Sequence, residues 1–284
     1  MTDKLKQLGP ETFPPLLKEI PDPPKQLYVR GTLPSYDLKW LAVVGSRAVS
    51  TYGKQACEYL IEGLRGYPIV IVSGLAYGTD ALAHKIALEV GLPCVGVPGS
   101  GLEWNVIYPK ANLGLAKEIV DKGGALLSEF KPDQKATDYT FPQRNRIMAG
   151  MSHATLMIEA KERSGTLITA RLATDYNRDL LVVPGSIFSN TSKGTHQFLK
   201  LGATPVTEPS DILKVLGLDA KTETRERSDV SNEEARVLEI LETPCSREEL
   251  VQQLTLGISE ANVLLSMMEI KGLIVEEVGL VRAM

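Results

Sequence analysis

The chain has 284 residues, of which 43% are hydrophobic and 23% charged, and its formal net charge is −4. This length and composition suit one sizeable α/β domain plus something smaller, and they exclude a disordered chain. No apolar run reaches the ~20 residues of a membrane helix, and Met1-Thr-Asp-Lys-Leu-Lys has no apolar leader segment.

In chain order, residues 1–38 are rich in proline (Pro10, Pro14, Pro15, Pro21, Pro23, Pro24, Pro34), with a short helical candidate at 13–20. They read as a wrapping N-terminal arm. Residues 39–217 then alternate two patterns. Short aliphatic runs predict strands at 41–45, 69–73, 94–98, 124–128, 154–160, 180–184 and 203–207. Helical stretches fill the gaps at 51–65, 79–90, 110–122, 143–151, 165–177, 194–201 and 209–216. Each gap holds a right-handed crossover, so the expected architecture is an extended Rossmann-like, doubly wound, mostly parallel sheet.

Residues 218–230 are polar and non-periodic, and they read as a linker. Ser231-Asn-Glu-Glu then opens a helix with an acidic first turn. Ser246-Arg-Glu-Glu-Leu and Ser259-Glu-Ala-Asn-Val-Leu-Leu open two more, and residues 273–282 read as a hairpin. Three helices and a hairpin make 231–284 a winged-helix domain. Charge is uneven: residues 219–284 hold 7 Lys and Arg against 14 Asp and Glu, a balance of −7, which leaves +3 for residues 1–218. The total charge therefore does not exclude a polyanion partner for the first domain. The acidic second domain is expected to contact protein instead of reading duplex DNA.

Five of the strand runs stop at a glycine turn before a helix: Val44-Gly45-Ser46-Arg47, Ser73-Gly74, Pro98-Gly99, the run to Glu159-Ala160 leading to Ser164-Gly165, and Pro184-Gly185. In a parallel sheet these turns share one edge, and the glycines let a ligand approach the backbone. Helix N-termini behind them favour anions, phosphates above all. Neither the G-x-G-x-x-G nor the G-x-x-x-x-G-K-[ST] spacing occurs, so no nucleotide cofactor is expected.

Arg47 puts a guanidinium at the first turn, suited to a phosphate. Asp80 would repel phosphate and is expected to be structural, with Thr79 or Asp80 capping the following helix. Phe141-Pro-Gln-Arg144-Asn145-Arg146 places two cations at an expected helix start, against the dipole, which an anion would offset; Phe141 offers a stacking face. Lys161-Glu-Arg163-Ser164-Gly165 adds basic and hydroxyl groups at a further turn, with Glu159 expected to hold an arginine. No catalytic set assembles: His84, His153 and His196 stand in separate contexts, and Asp80, Glu103, Glu129 and Glu159 have no spacing that selects a carboxylate pair. Cys57, Cys94 and Cys245 lack metal-ligand spacing; the first two read as core, and a reducing cytoplasm is the expected setting.

Val-Gly-Ser-Arg (44–47), Ser-Gly-Leu-Ala-x-Gly-x-Asp (73–80), Tyr-Pro-x-x-Asn (108–112), Phe-Pro-x-Arg-Asn-Arg-Ile (141–147), Glu-Ala-x-x-x-Ser-Gly-Thr-Leu-Ile-Thr-Ala (159–170) and Val-Pro-Gly-Ser (183–186) occur in this order. Together they resemble the DNA-processing protein A family (DprA, also called Smf), across nearly the whole chain. The resemblance implies a non-enzymatic, cytoplasmic, homodimeric protein that binds single-stranded DNA, protects incoming strands during natural transformation and helps load the RecA recombinase. Carried onto this sequence, its phosphate site comprises Gly45, Ser46, Arg47, Ser73 and Gly74, bordered by Arg144, Asn145 and Arg146, with Ser164 and Gly165 on the neighbouring loop; the glycine turn at Gly99 and the basic Lys161 join the expected set from the residue pattern. Tyr77 and Thr79 stand where many members carry a basic residue and an isoleucine, and the stretch 99–108 is about two residues longer than usual. The competing expectation is a nucleotide-binding or nucleotide-hydrolysing enzyme resembling the phosphoribohydrolases, whose glycine loop Pro98-Gly-Ser-Gly-Leu-Glu103 matches in part.

Overall fold

A computed structural model of the chain describes residues 4–218, 231–241, 245–254, 256–271, 273–277 and 280–283. The chain separates into two units, Met1–Ala220 and Lys221–Met284. In chain order the first holds β1 (Leu5–Leu8), α1 (Pro15–Lys18), β2 (Leu27–Gly31), β3 (Lys39–Val44), α2 (Thr51–Glu62), β4 (Ile69–Ser73), α3 (Thr79–Glu89), β5 (Cys94–Gly96) and α4 (Leu113–Asp121). It continues with β6 (Ala125–Ser128), α5 (Thr140–Met151), β7 (Ala154–Met157), α6 (Thr166–Asp175), β8 (Asp179–Val182), α7 (Lys193–Lys200), β9 (Thr204–Pro205) and α8 (Pro209–Val215).

The strands form one sheet in the order β1-β2-β6-β5-β4-β3-β7-β8-β9. β3 to β9 pair in parallel, whereas β1 pairs with β2, and β2 with β6, antiparallel. Alternation along each strand feeds two cores. Leu41, Val43, Ile69, Ile71 and Leu156 face the layer of α2, α3, α4 and α8; Trp40, Ala42, Val44, Val70, Val72 and Met157 face that of α1, α5, α6 and α7. This is the doubly wound arrangement expected of strands aliphatic on both faces.

The N-terminal segment does more than wrap. β1 and β2 extend the sheet, and the proline-rich stretch between them contributes buried Phe13, Leu17 and Ile20 to the second core. Its prolines masked the strand signal of Leu27-Tyr-Val-Arg-Gly, whose buried residues alternate with half-buried ones. α5 begins at Thr140 and not at 143, because Pro142 sits within the first turn, where its missing N–H is harmless. Arg144 and Arg146 therefore lie in the second turn, beyond most of the dipole cost that the sequence suggests.

The second unit holds α9 (Asn232–Ile240), α10 (Arg247–Gln253), α11 (Ile258–Ile270) and the antiparallel pair β10 (Ile274–Glu277) and β11 (Leu280–Ala283). Capping boxes at Ser231/Glu234 and Ser246/Glu249 start α9 and α10. Val237, Leu241, Leu250, Ala261, Leu265, Met268, Ile274 and Val281 close its core. Apart from Leu218, the expected linker lies outside the described residues.

Candidate functional site

The chain runs outward from β3 through β4, β5 and β6 and then returns to place β7 on the other side of β3. At such a switch point the loops leaving the two adjacent strands diverge and open a crevice at their carboxyl ends. A cavity of about 470 Å³ occupies it, lined from β3 and its loop by Val44 to Ala48, from α5 by Phe141, Pro142, Arg144, Asn145 and Met148, and from the β7–α6 segment by Lys161, Arg163, Ser164, Gly165, Thr166, Ile168 and Thr169; Ala76 and Asp80 complete it.

Close backbone approach shapes the floor. Thr79 Oγ1 donates to the Ser46 carbonyl at 3.2 Å, and Thr166 Oγ1 to the Gly45 carbonyl at 2.9 Å, so both following helices are tied to the first loop. A Cβ on Gly45 would clash with Thr79. The Ser46 hydroxyl bonds the Ala48 backbone and tightens the turn. Glu159, only 2% exposed, holds no arginine. It accepts from Ser50 N at 2.9 Å, Ser50 Oγ at 2.6 Å and Thr191 Oγ1 at 2.8 Å. That carboxylate already serves the N-terminus of α2, where Ser50 is the N-cap.

Asp80 is structural. Neither it nor Thr79 caps α3 through its side chain; Asp80 accepts the loop N–H groups of Gly74 and Ala76 at 3.1 and 3.4 Å. Burial raises its pKa, and the Arg144 guanidinium works in the opposite direction. Arg144 is 4% exposed and donates to the Val97 carbonyl. Its guanidinium lies where a Cβ on Gly74 would be, so only glycine fits there. Burial brings this arginine down to about 10, against the pull of Asp80. It stays charged, but its charge is immobilised in the wall. Asn112, the last residue of the Tyr-Pro-x-x-Asn motif, donates to the Leu75 and Ala76 carbonyls at 2.8 and 3.1 Å and fixes the same loop.

The remaining cations are freer. Arg47 is exposed, with its guanidinium 5.2 Å from the Phe141 ring centroid, and Lys161 and Arg163 are exposed on the opposite lip. Four cations thus line the cavity against the single carboxylate of Asp80. The backbone N–H groups of Ser46, Arg47 and Gly165 donate to no group among the described residues. The arrangement can hold an anion by charge from both sides and by main-chain donors.

Gly45, Ser46, Arg47, Arg144, Asn145, Lys161, Ser164 and Gly165 all line this cavity. Gly74 lines a smaller adjoining recess with Tyr77, Tyr108 and Phe141, and Gly99 packs beneath the Phe141 ring. Ser73 is fully buried and donates to the Val43 carbonyl at 2.6 Å, away from the cavity. Arg146 is elsewhere too, held by the Glu129 carboxylate and the Asp22 carbonyl. Successive helical residues turn by about 100°, so residues two apart face different ways, whereas Phe141, Arg144, Asn145 and Met148 share one face. Met148 is not among the expected site residues, and that i, i+3, i+4, i+7 spacing is the signal that finds it. Thr166 and Thr169, which the sequence did not single out, follow the same spacing on α6.

Cys57 and Cys94 are buried thiols pushed up to about 12 by burial, as core cysteines should be. His84 is wholly buried below the site and brought down to about 4 by the same cause. Among the described residues no helix is long and apolar enough to cross a membrane.

Comparison with known proteins identifies the family of both units. The family model of DNA recombination-mediator protein A matches residues 4–217, and that of the DprA winged helix domain matches 221–279. Protein Smf of Escherichia coli is 44% identical over 72% of this chain and 54% of its own length, so the chain spans about half of that relative. DNA processing protein DprA of Streptococcus pneumoniae is 41% identical over 72% of this chain and 71% of its own length. The X-ray structure of the S. pneumoniae protein superposes with a TM-score of 0.68 at 38% identity, covering 75% of each chain. A structure of DNA processing protein A from Helicobacter pylori, described for its single-stranded DNA binding mode, gives a TM-score of 0.65 at 29% identity, covering 76% of this chain and 98% of that one. With both of its units matched, and with relatives alike in sequence and in fold, the chain belongs to the DNA recombination-mediator protein A (DprA) family.

Proposed function

We propose that the cavity between β3 and β7 grips the backbone of single-stranded DNA, and that the chain uses it to protect incoming strands and to help load the RecA recombinase. The observation that carries this reading is the excess of Arg47, Arg144, Lys161 and Arg163 over one carboxylate that is already hydrogen-bonded to its own loop. A cavity of about 470 Å³ takes one nucleotide unit, and the neighbouring phosphates run along lips formed by Arg47 and by Lys161 with Arg163. The donors are cationic or main-chain and suit phosphate, so the strand is held without its sequence being read. Phe141 offers an aromatic face beside Arg47 for one base.

In this reading the chain performs no catalysis and needs no cofactor. The Asp80, Glu129 and Glu159 carboxylates each accept from internal partners, which supports a binding role for the cavity. It works as a cytoplasmic homodimer, so two such cavities serve one strand. The test is a fluorescence-anisotropy comparison of single-stranded and duplex oligonucleotides across a salt series, with a mononucleotide as competitor. Single strands should bind more tightly, with log K falling by about 0.7 per phosphate for each decade of salt. Displacement of the strand by micromolar mononucleotide together with its hydrolysis would overturn the reading in favour of a nucleotide-processing enzyme.

A further inference from the structure

The winged-helix unit invites comparison with duplex-reading helices, and its own surface argues otherwise. In helix-turn-helix folds the helix offered to DNA supplies cations to phosphates and bases. The corresponding α11, Ile258-Ser-Glu-Ala-Asn-Val-Leu-Leu-Ser-Met-Met-Glu-Ile270, contains no lysine or arginine and two glutamates. Among the described residues the cations of this unit are engaged. Arg247 binds Glu269 at 2.8 Å and Glu276 at 2.9 Å, and Lys271 binds Glu234 at 2.7 Å. Arg236 and Arg282 have interactions of their own.

What α11 does present is apolar. Ala261, Leu265 and Met268 are its buried face. On the opposite side Val263 is 65% exposed and Met267 49%, four residues apart and therefore stacked one above the other. They line a groove of about 480 Å³ together with Leu264 and Ser259, and its margin carries Glu233, Glu234 and Glu260 against one cation, Lys271, so the rim is acidic on balance. The Glu234 carboxylate is neutralised by Lys271, while Glu233 lies exposed in the first turn of α9. An aliphatic floor with a carboxylate rim is complementary to a helix carrying aliphatic residues on one face and lysine or arginine beside them.

We infer that the α9–α11 groove is a docking site for a basic, amphipathic helical segment of a protein partner, and that this unit does not bind duplex DNA. The occupant is committed by charge: the rim repels a polyanion and attracts cationic flanks, and the thioether of Met267 adapts to a helix laid across it. This inference is independent of the single-strand cavity.

The test uses the full chain with labelled valine and methionine methyl groups. The probes are an amphipathic peptide of about 18 residues, leucine on one face and lysine elsewhere, and a duplex of about 20 base pairs. The peptide should shift the methyl resonances of Val263 and Met267, and the duplex should not. The double variant V263S/M267S should weaken peptide binding roughly tenfold, because two apolar contacts are lost. E233Q/E260Q should flatten its salt dependence. All four side chains lie on the surface, so unchanged melting of the variants confirms that the unit stays folded. Shifts of the stripe by the duplex, or unchanged peptide affinity in V263S/M267S, would overturn the inference. Loss of self-association in V263S/M267S without any peptide present would also overturn it, by showing that a second copy of the chain occupies the groove.

Discussion

Arg47 and Arg146 look alike in the sequence and should behave oppositely when replaced by alanine. Arg47 is exposed, and among the described residues its guanidinium lies over the Phe141 ring, 5.2 Å from the centroid. Losing that contact removes about 0.5–1 kcal/mol at most, which in a protein of this size shifts melting by roughly 1–4 °C. A charge-assisted bond to phosphate contributes ~1.5–3 kcal/mol, and its exposure argues for the lower figure, so Arg47→Ala should weaken single-strand binding roughly tenfold. The salt slope should fall by about 0.7, one phosphate's worth on a single strand. Arg146 and Glu129 are 15% and 14% exposed, and Arg146→Ala strands a carboxylate that burial already pushes toward protonation. Breaking a buried pair costs ~3–5 kcal/mol; partial exposure and proton uptake reduce this to roughly 2–3, or about 4–12 °C of melting temperature. Binding by Arg146→Ala should change by less than about threefold, since no phosphate contact is lost. Anisotropy across a potassium chloride series, paired with thermal melting, reads both effects. A larger binding loss in Arg146→Ala than in Arg47→Ala, or an unchanged salt slope in Arg47→Ala, would refute the assignment.

Three further perturbations probe the site's construction. Gly165 has open space where a Cβ would stand, so Gly165→Ala should melt normally and bind single strands several-fold more weakly, as the methyl group occupies ligand space; Gly74→Ala displaces the Arg144 guanidinium and should lower both stability and affinity. Glu159→Gln leaves the shape but turns one acceptor into a donor facing groups that donate, and chemical denaturation should show a loss of about 1–3 kcal/mol with binding largely retained. His84 is held neutral in the fold, lowered to about 4 from 6.5, so the unfolded chain takes up the proton first as pH falls. Stability should therefore decline between pH 6.5 and 4, by up to about 3 kcal/mol from this residue, and His84→Gln should flatten that part of a denaturation-versus-pH profile.

The alternation of strand and helix was legible because its physics is local. Runs such as Ile69-Val-Ile-Val need two apolar faces; Gly74 follows β4 where only glycine fits, and Gly165 opens α6 where the space beside it is empty. The cations at the sheet's carboxyl edge, Arg47, Arg144, Lys161 and Arg163, were legible by the same reading. Three things were hidden because they depend on long-range partners. β2 is recognisable only once β6 stands beside it, in the register Gly31 to Ala125. Glu159 reads as a strand-end charge, and nothing local says that Ser50, 109 residues earlier, is its partner. Arg146 carries the same signal as Arg144, and only the start of α5 and the position of Glu129 separate their roles.

The two outer strands of the sheet bear on aggregation. Without β1 and β2, β6 would bare a row of unpaired backbone groups along Ala125–Ser128, all buried at present and flanked by Leu126 and Leu127. An open apolar edge recruits further strands from other molecules. The molecule instead ends in a four-residue strand with exposed Lys6 and Gln7 on one side. On the other it ends in the two-residue β9, where Val206 N–H donates inward to the Val182 carbonyl and Pro205 offers no outward donor. A chain lacking residues 1–31 should therefore clump through β6, whereas the chain that has them is left to associate through side-chain surfaces, not by lengthening its sheet.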